Sequence, residues 1–168
     1  MKKTFLTLTI AGALFFAACG GEQPKEESKA AETTTETTEP EVLTPLEVAI
    51  EASDDMKFNL NKIEAKEGQQ IKLTLKNVGK MPKESMGHNW TLLTMDTDVT
   101  AYGVAAAGAK DTDYIPADMK SNVIVSTKIL GPGEEETLTF DAPPAGIYTF
   151  ICSFPGHFGS MRGELVVN

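Results

Sequence analysis

Apolar and polar side chains alternate with period two along much of the chain. Ile71, Leu73 and Leu75 fall on one side of such a run, and Lys72, Thr74 and Lys76 on the other. Val123, Val125 and Thr127 alternate with Ile124, Ser126 and Lys128, and the pattern returns at Thr137-Leu138-Thr139-Phe140, Tyr148-Thr149-Phe150 and Glu164-Leu165-Val166-Val167. Successive side chains of an extended chain point to opposite faces, so each run predicts a half-buried strand. Turn residues separate the runs at Glu67-Gly68, Asn77-Val78-Gly79, Gly131-Pro132-Gly133 and Pro143-Pro144-Ala145-Gly146. Short strands joined by such turns predict an all-β, antiparallel sandwich. One stretch breaks the period: Ala101-Tyr102-Gly103-Val104-Ala105-Ala106-Ala107 prefers a short α-helix, placed outside the sandwich. Asp111 to Lys120 is predicted as loop.

The N-terminal third follows a different pattern. Met1-Lys2-Lys3 is basic, Thr4 to Ala18 is mostly apolar, and the run ends Phe16-Ala17-Ala18-Cys19-Gly20. This predicts a secretory signal over residues 1–18, too short to cross a bilayer comfortably, which takes about 20 residues. The segment resembles a bacterial lipoprotein signal. That resemblance implies cleavage before Cys19, acyl chains on Cys19, and anchorage to a membrane. Gly20 stands where an inner-membrane retention signal more often has Asp, so the outer membrane is the expected address. Residues 19–45 hold seven Glu against two Lys and few large apolar groups. Such a segment buries too little surface to offset the entropy of ordering, and it is expected to be a disordered acidic tether for a domain spanning 46–168.

Charge and residue counts narrow the function. The formal net charge is −9, which argues against nucleic acid, whose phosphates need a basic surface. The chain has two cysteines, Cys19 and Cys152, and two histidines, His88 and His157. A disulfide framework is thereby excluded, and a lipidated Cys19 leaves Cys152 as a free thiol.

The remaining thiol and both histidines fall in one constellation. Cys152-Ser153-Phe154-Pro155-Gly156-His157 follows the strand Tyr148–Ile151, whose alternation puts Tyr148, Phe150 and Cys152 on the same face. A Pro-Gly turn then lets His157 face the point Cys152 faces, and Met161 returns from the far side of the loop. Met86-Gly87-His88-Asn89-Trp90 supplies a second imidazole. Two His, one Cys and a distant Met match a blue-copper electron-transfer site, and the thioether favours copper over zinc. Separately a Cys, a Met or a His is usually a packed or surface residue; it is the Cys-x4-His-x3-Met spacing with an upstream His that carries the signal.

These residues resemble the azurins, within the cupredoxin family of type 1 blue-copper proteins. Met56-Lys57-Phe58-Asn59, the inserted helix and Val123–Leu130 extend the resemblance over nearly all of 46–168. It implies a Greek-key sandwich of about eight strands with one inserted helix, binding one copper that cycles between Cu(I) and Cu(II). Cys152, His88 and His157 would be strong ligands, Met161 a weak axial one, and the Gly87 carbonyl the opposite axial contact. The Asn89 and Phe154 N–H groups would point at the Cys152 sulfur, and the Asn89 side chain would pin the two ligand loops through Ser153. An apolar patch of Met56, Pro82, Met86, Pro155 and Phe158 would dock redox proteins, c-type cytochromes or copper enzymes, weakly and transiently. The domain is expected to be monomeric. The azurin disulfide at the other end of the sandwich and the non-ligand histidines of some azurins have no counterpart here, and Pro144–Tyr148 is shorter than the azurin turn.

Three other activities could draw on the same residues. Thiol catalysis by Cys152 and His157 lacks an orienting third group, and a catalytic second copper would need further histidines. Neither enzyme reading is expected to hold. Copper binding and delivery in the cell envelope uses the same ligands and is the alternative to electron transfer.

Overall fold

The structure, a computed structural model, describes residues 43–168. The expected signal (1–18), Cys19 and the spacer up to residue 42 lie outside the described residues. Nine strands form two sheets: β1 (Leu46–Ser53), β2 (Lys57–Phe58), β3 (Lys62–Ala65), β4 (Gln70–Asn77), β5 (Thr91–Leu93), β6 (Val123–Ser126), β7 (Glu135–Asp141), β8 (Gly146–Ile151) and β9 (Arg162–Val167). The first sheet has the order β2-β1-β4-β7 and the second β3-β9-β8-β5-β6. Two short helices, α1 (Lys83–Met86) and α2 (Val99–Ala106), complete the regular structure with 3-10 turns at Lys110–Thr112 and Ala117–Asn122.

The ladders follow the alternation. In β1 and β4 every second residue is buried (Val48, Ile50 and Ala52; Ile71, Leu73, Leu75 and Asn77). Their register pairs Val48 with Leu73 and Ile50 with Leu75, so both strands turn the same face inward. The opposite sheet contributes Leu92, Tyr148, Phe150 and Leu165. Trp90 sits fully buried between the layers, with its ring 5.3 Å from Phe150 and 6.0 Å from Phe140. Burying one such leucine or isoleucine removes roughly 1.5–3 kcal/mol of apolar exposure. The inner faces therefore supply most of the drive to fold.

Three features differ from the pattern-based expectation. First, β1–β4 and β3–β9 pair in parallel, so the sandwich is not wholly antiparallel. β3 belongs to the other sheet, so the chain crosses over between β1 and β4 and β4 returns alongside β1 in the same direction. Second, the described residues form nine strands, counting the two-residue hairpin partner β2, where the family resemblance implied about eight. Third, Asp111–Lys120 holds 3-10 turns rather than plain loop. The helix forms where expected, capped by Asp98, whose side chain accepts from the Thr100 and Ala101 N–H groups at 2.9 and 3.0 Å.

Candidate metal centre

β8 carries Cys152 to one end of the sandwich, and β9 starts next to it. The Cys152 N–H donates to the Met161 carbonyl at 2.9 Å, closing the loop between the strands. Within that loop the His157 N–H reaches the Phe154 carbonyl at 3.0 Å, and the Met161 N–H reaches the His157 carbonyl at 2.8 Å. Gly156, at φ +82°, takes the left-handed conformation this tight path needs. His88 lies between α1 and β5. Its N–H donates to the Leu130 carbonyl at 3.1 Å and its carbonyl accepts from the Leu130 N–H at 2.7 Å, which fixes the backbone that bears the ring.

The two segments meet inside the protein. Cys152 Sγ lies 3.9 Å from His88 Nδ1 and 3.6 Å from His157 Nδ1. The three ligand-type atoms of His88, Cys152 and His157 all fall within 4.8 Å of one another. The two imidazole rings are 5.1 Å apart, centroid to centroid. His88, Cys152 and Met161 have no exposed surface and His157 has 3%. Gly87 is buried beside them. A Cβ there would lie 2.5 Å from Ile129 Cγ2 and 2.6 Å from the Lys83 carbonyl, so only glycine lets the backbone run so close.

Burial sets the protonation states. It pushes the Cys152 thiol up to about 12, against the opposing pull of the Asn89 and Phe154 N–H groups on the sulfur. Burial, and then the neighbouring His88, hold His157 down to about 4. His88 is also lowered by burial, against the Asp54 carboxylate and the Ser53 carbonyl, which favour its protonation. Its Nε2 is buried without a hydrogen-bond partner among the described residues. The result is a thiol and two neutral imidazoles, with ring lone pairs free to bind a metal and one proton to lose. One soft sulfur and two nitrogens, held rigidly in an apolar enclosure, suit copper.

The structure locates the other residues singled out from sequence. Asn89 and Ser153 meet: Ser153 N–H donates to Asn89 Oδ1 at 2.8 Å, and Asn89 Nδ2 donates to Ser153 Oγ at 2.8 Å. Met56 is 38% exposed, Pro82 is exposed, and Met86 and Pro155 are half-buried. Phe158 is half-buried and packs on α2, where a Cβ on Gly103 would lie 2.3 Å from its ring. Met81 and Val78, at 43% and 42% exposed, escaped the sequence reading because they sit in an aperiodic turn. Asp54 holds that turn beside Met56 by accepting the Lys80 N–H at 2.8 Å. Asp113 and Tyr114 were also missed.

The family model described as copper binding proteins, plastocyanin/azurin family, matches residues 45–168. Azurin from Achromobacter denitrificans is 41% identical over 126 residues, 71% of this chain and 82% of that protein. Outer membrane protein H.8 from Neisseria gonorrhoeae is 38% identical over 121 residues, 70% of this chain and 65% of that protein. Among solved structures, the Na-dithionite reduced auracyanin of Roseiflexus castenholzii has a TM-score of 0.65 and 33% identity, covering 73% of this chain and 96% of that one.

Proposed function

The chain belongs to the plastocyanin/azurin family of copper-binding proteins, and from that premise we propose that it is a type 1 blue-copper carrier moving single electrons between redox partners in the bacterial cell envelope. The observation that carries this reading is the buried convergence of three side chains within 4.8 Å, Cys152 and His157 from the loop closed by Met161 and His88 from a separate segment. In this reading Cys152, as thiolate, and the His88 and His157 imidazoles would hold the copper, with the Met161 thioether and the Gly87 carbonyl as weaker contacts. Copper, when bound, supplies a one-electron couple between Cu(I) and Cu(II).

The chain's own part is to keep those donors still. Electron transfer is fast when ligands move little between oxidation states. Cys152 and Met161 are tied through their backbones, His88 is tied to Leu130, and Asn89 locks one ligand loop to the other. The apolar enclosure excludes water. The Asn89 and Phe154 N–H groups draw electron density from the sulfur and so help set the potential.

The site communicates through its rim. Phe154 lies with its ring 4.7 Å from that of His157. Met56, Pro82, Met86 and Pro155, with Phe158 at the edge, supply an apolar margin suited to brief encounters with c-type cytochromes or copper enzymes. Removal of the signal over residues 1–18 would expose Cys19, whose acylation would tether the domain to the outer membrane, and the likeness to a protein named outer membrane protein H.8 supports an envelope address.

The test is optical. The domain loaded with Cu(II) gives an intense blue sulfur-to-copper charge-transfer band, and Cys152→Ser abolishes it. A colourless Cu(II) adduct of the unsubstituted protein would sink the proposal.

A further inference from the structure

Asp113 and Tyr114 take left-handed backbone conformations in succession, at φ +53° and +59°. Neither is glycine, and a bulky tyrosine resists this region most. Such strain persists only where surrounding bonds impose it, and it clusters at functional positions. Here the bonds lead to the metal centre. The Asp113 carbonyl accepts the second Nδ2 hydrogen of Asn89 at 3.2 Å, the first being used by Ser153 Oγ. The Asp113 carboxylate accepts the Ile129 N–H at 2.9 Å, next to the Leu130 that pairs with His88. The Tyr114 ring, itself buried, meets Phe154 edge-on at 5.1 Å.

Asn89 and Phe154 are tied to the site by geometry, Asn89 Oδ1 accepting the Ser153 N–H at 2.8 Å and the Phe154 ring lying 4.7 Å from that of His157, and the backbone N–H groups of both oppose the upward push of burial on the Cys152 thiol. One strained corner therefore grips both of them, Asn89 through a backbone carbonyl and Phe154 through a ring. We propose that the Asp113–Tyr114 corner is a positioning device for the metal site: it sets the two N–H···S contacts on Cys152 and through them the reduction potential. This rests on the copper reading above. Neither residue touches the metal donors, so the corner acts only through Asn89 and Phe154.

The direction of the effect follows from the charge on sulfur. An N–H donor withdraws electron density from the thiolate, weakens its donation to Cu(II), and raises the potential. A relaxed corner lengthens these contacts and lowers the potential. Asp113→Gly accepts positive φ without steric cost and keeps the backbone carbonyl, but removes the carboxylate that anchors Ile129. Tyr114→Ala removes the ring behind Phe154. Asp113→Asn tolerates the left-handed conformation and retains an acceptor oxygen, so it serves as the rescue.

Two readouts test this. Voltammetry on the copper-loaded full chain should show Tyr114→Ala and Asp113→Gly with a lower potential, a shift of about tenfold toward Cu(II) at fixed ambient potential, or about 59 mV. Asp113→Asn should return most of the shift. In the metal-free proteins, amide hydrogen exchange at Asn89 and Phe154 should quicken in the first two variants and recover in the third. An unchanged potential together with unchanged exchange at both amides overturns the proposal. If the unsubstituted chain shows no blue band, the copper reading fails, and exchange in the metal-free proteins still decides whether the corner holds these two amides.

Discussion

The backbone N–H of Cys152 and the carbonyl of Met161 are joined at 2.9 Å, so thiol and thioether stand at the two feet of one closed loop. Met161 is fully buried there. Replacing it with leucine conserves volume and should cost less than about 1.5 kcal/mol of stability. Leucine brings no donor, which removes more stabilisation from Cu(II) than from Cu(I). Met161→Leu is therefore expected to keep the blue band and raise the potential by about 59 mV, a tenfold change in the redox ratio. Voltammetry checks this, and a potential that falls would count against Met161 as an axial ligand.

Copper binding should release one proton per site near neutral pH. The folded Cys152 thiol, raised to about 12, is protonated throughout the physiological range, and the metal must displace that proton. His157, held down to about 4, is already neutral and contributes none. Affinity should thus rise roughly tenfold per pH unit between about pH 6 and 9, because each unit lowers the competing proton concentration tenfold. At lower pH the imidazoles begin to compete as well. Titration of the metal-free protein with Cu(II) in weak buffer counts the protons; a release of two at pH 7 would show that an imidazole is protonated in the folded protein.

Gly103 on α2 faces the ring of Phe158, with room for no side chain: a Cβ would sit 2.3 Å from Cδ1. Gly103→Ala should destabilise the fold by about 1–3 kcal/mol through overpacking, despite alanine's better helix propensity. Urea unfolding measures the loss. Stability equal to or above the parent would mean that Phe158 swings aside freely, and its place at the edge of the docking margin would be its own choice rather than the helix's.

Trp90 is the single tryptophan, fully buried, and its indole N–H has no hydrogen-bond partner among the described residues. An excited indole in such surroundings finds no dipole able to relax around it. Its emission should lie at the blue extreme for tryptophan and shift sharply to the red on unfolding. Emission at the wavelength of a solvated indole would show that water reaches the space between the sheets.

Legibility followed locality. Ile71, Leu73 and Leu75 announced β4 because a strand's faces are a local property of alternating side chains. Cys152, His157 and Met161 could be read together because one tight turn joins them. The parallel pairing of β1 with β4 could not, since it depends on where distant segments meet. β2 is two residues long, too short for a period to emerge. Asp113 and Tyr114 carry no signal in their residue types: their positive φ is imposed by Asn89 and Ile129, which lie 24 and 16 positions away. Phe158, expected in the docking patch, rests in part on Gly103, and that packing is not legible locally because Gly103 belongs to a separate helix.

β3 pairs in parallel with β9, joining Lys62–Ala65 to Glu164–Val167, the last strand of the chain. β9 also flanks β8, the strand that presents Cys152. The strand beside the metal pocket is thus held from both sides, by its neighbour in sequence and by a segment far upstream, and folding must close that long loop before the distant pair is rewarded.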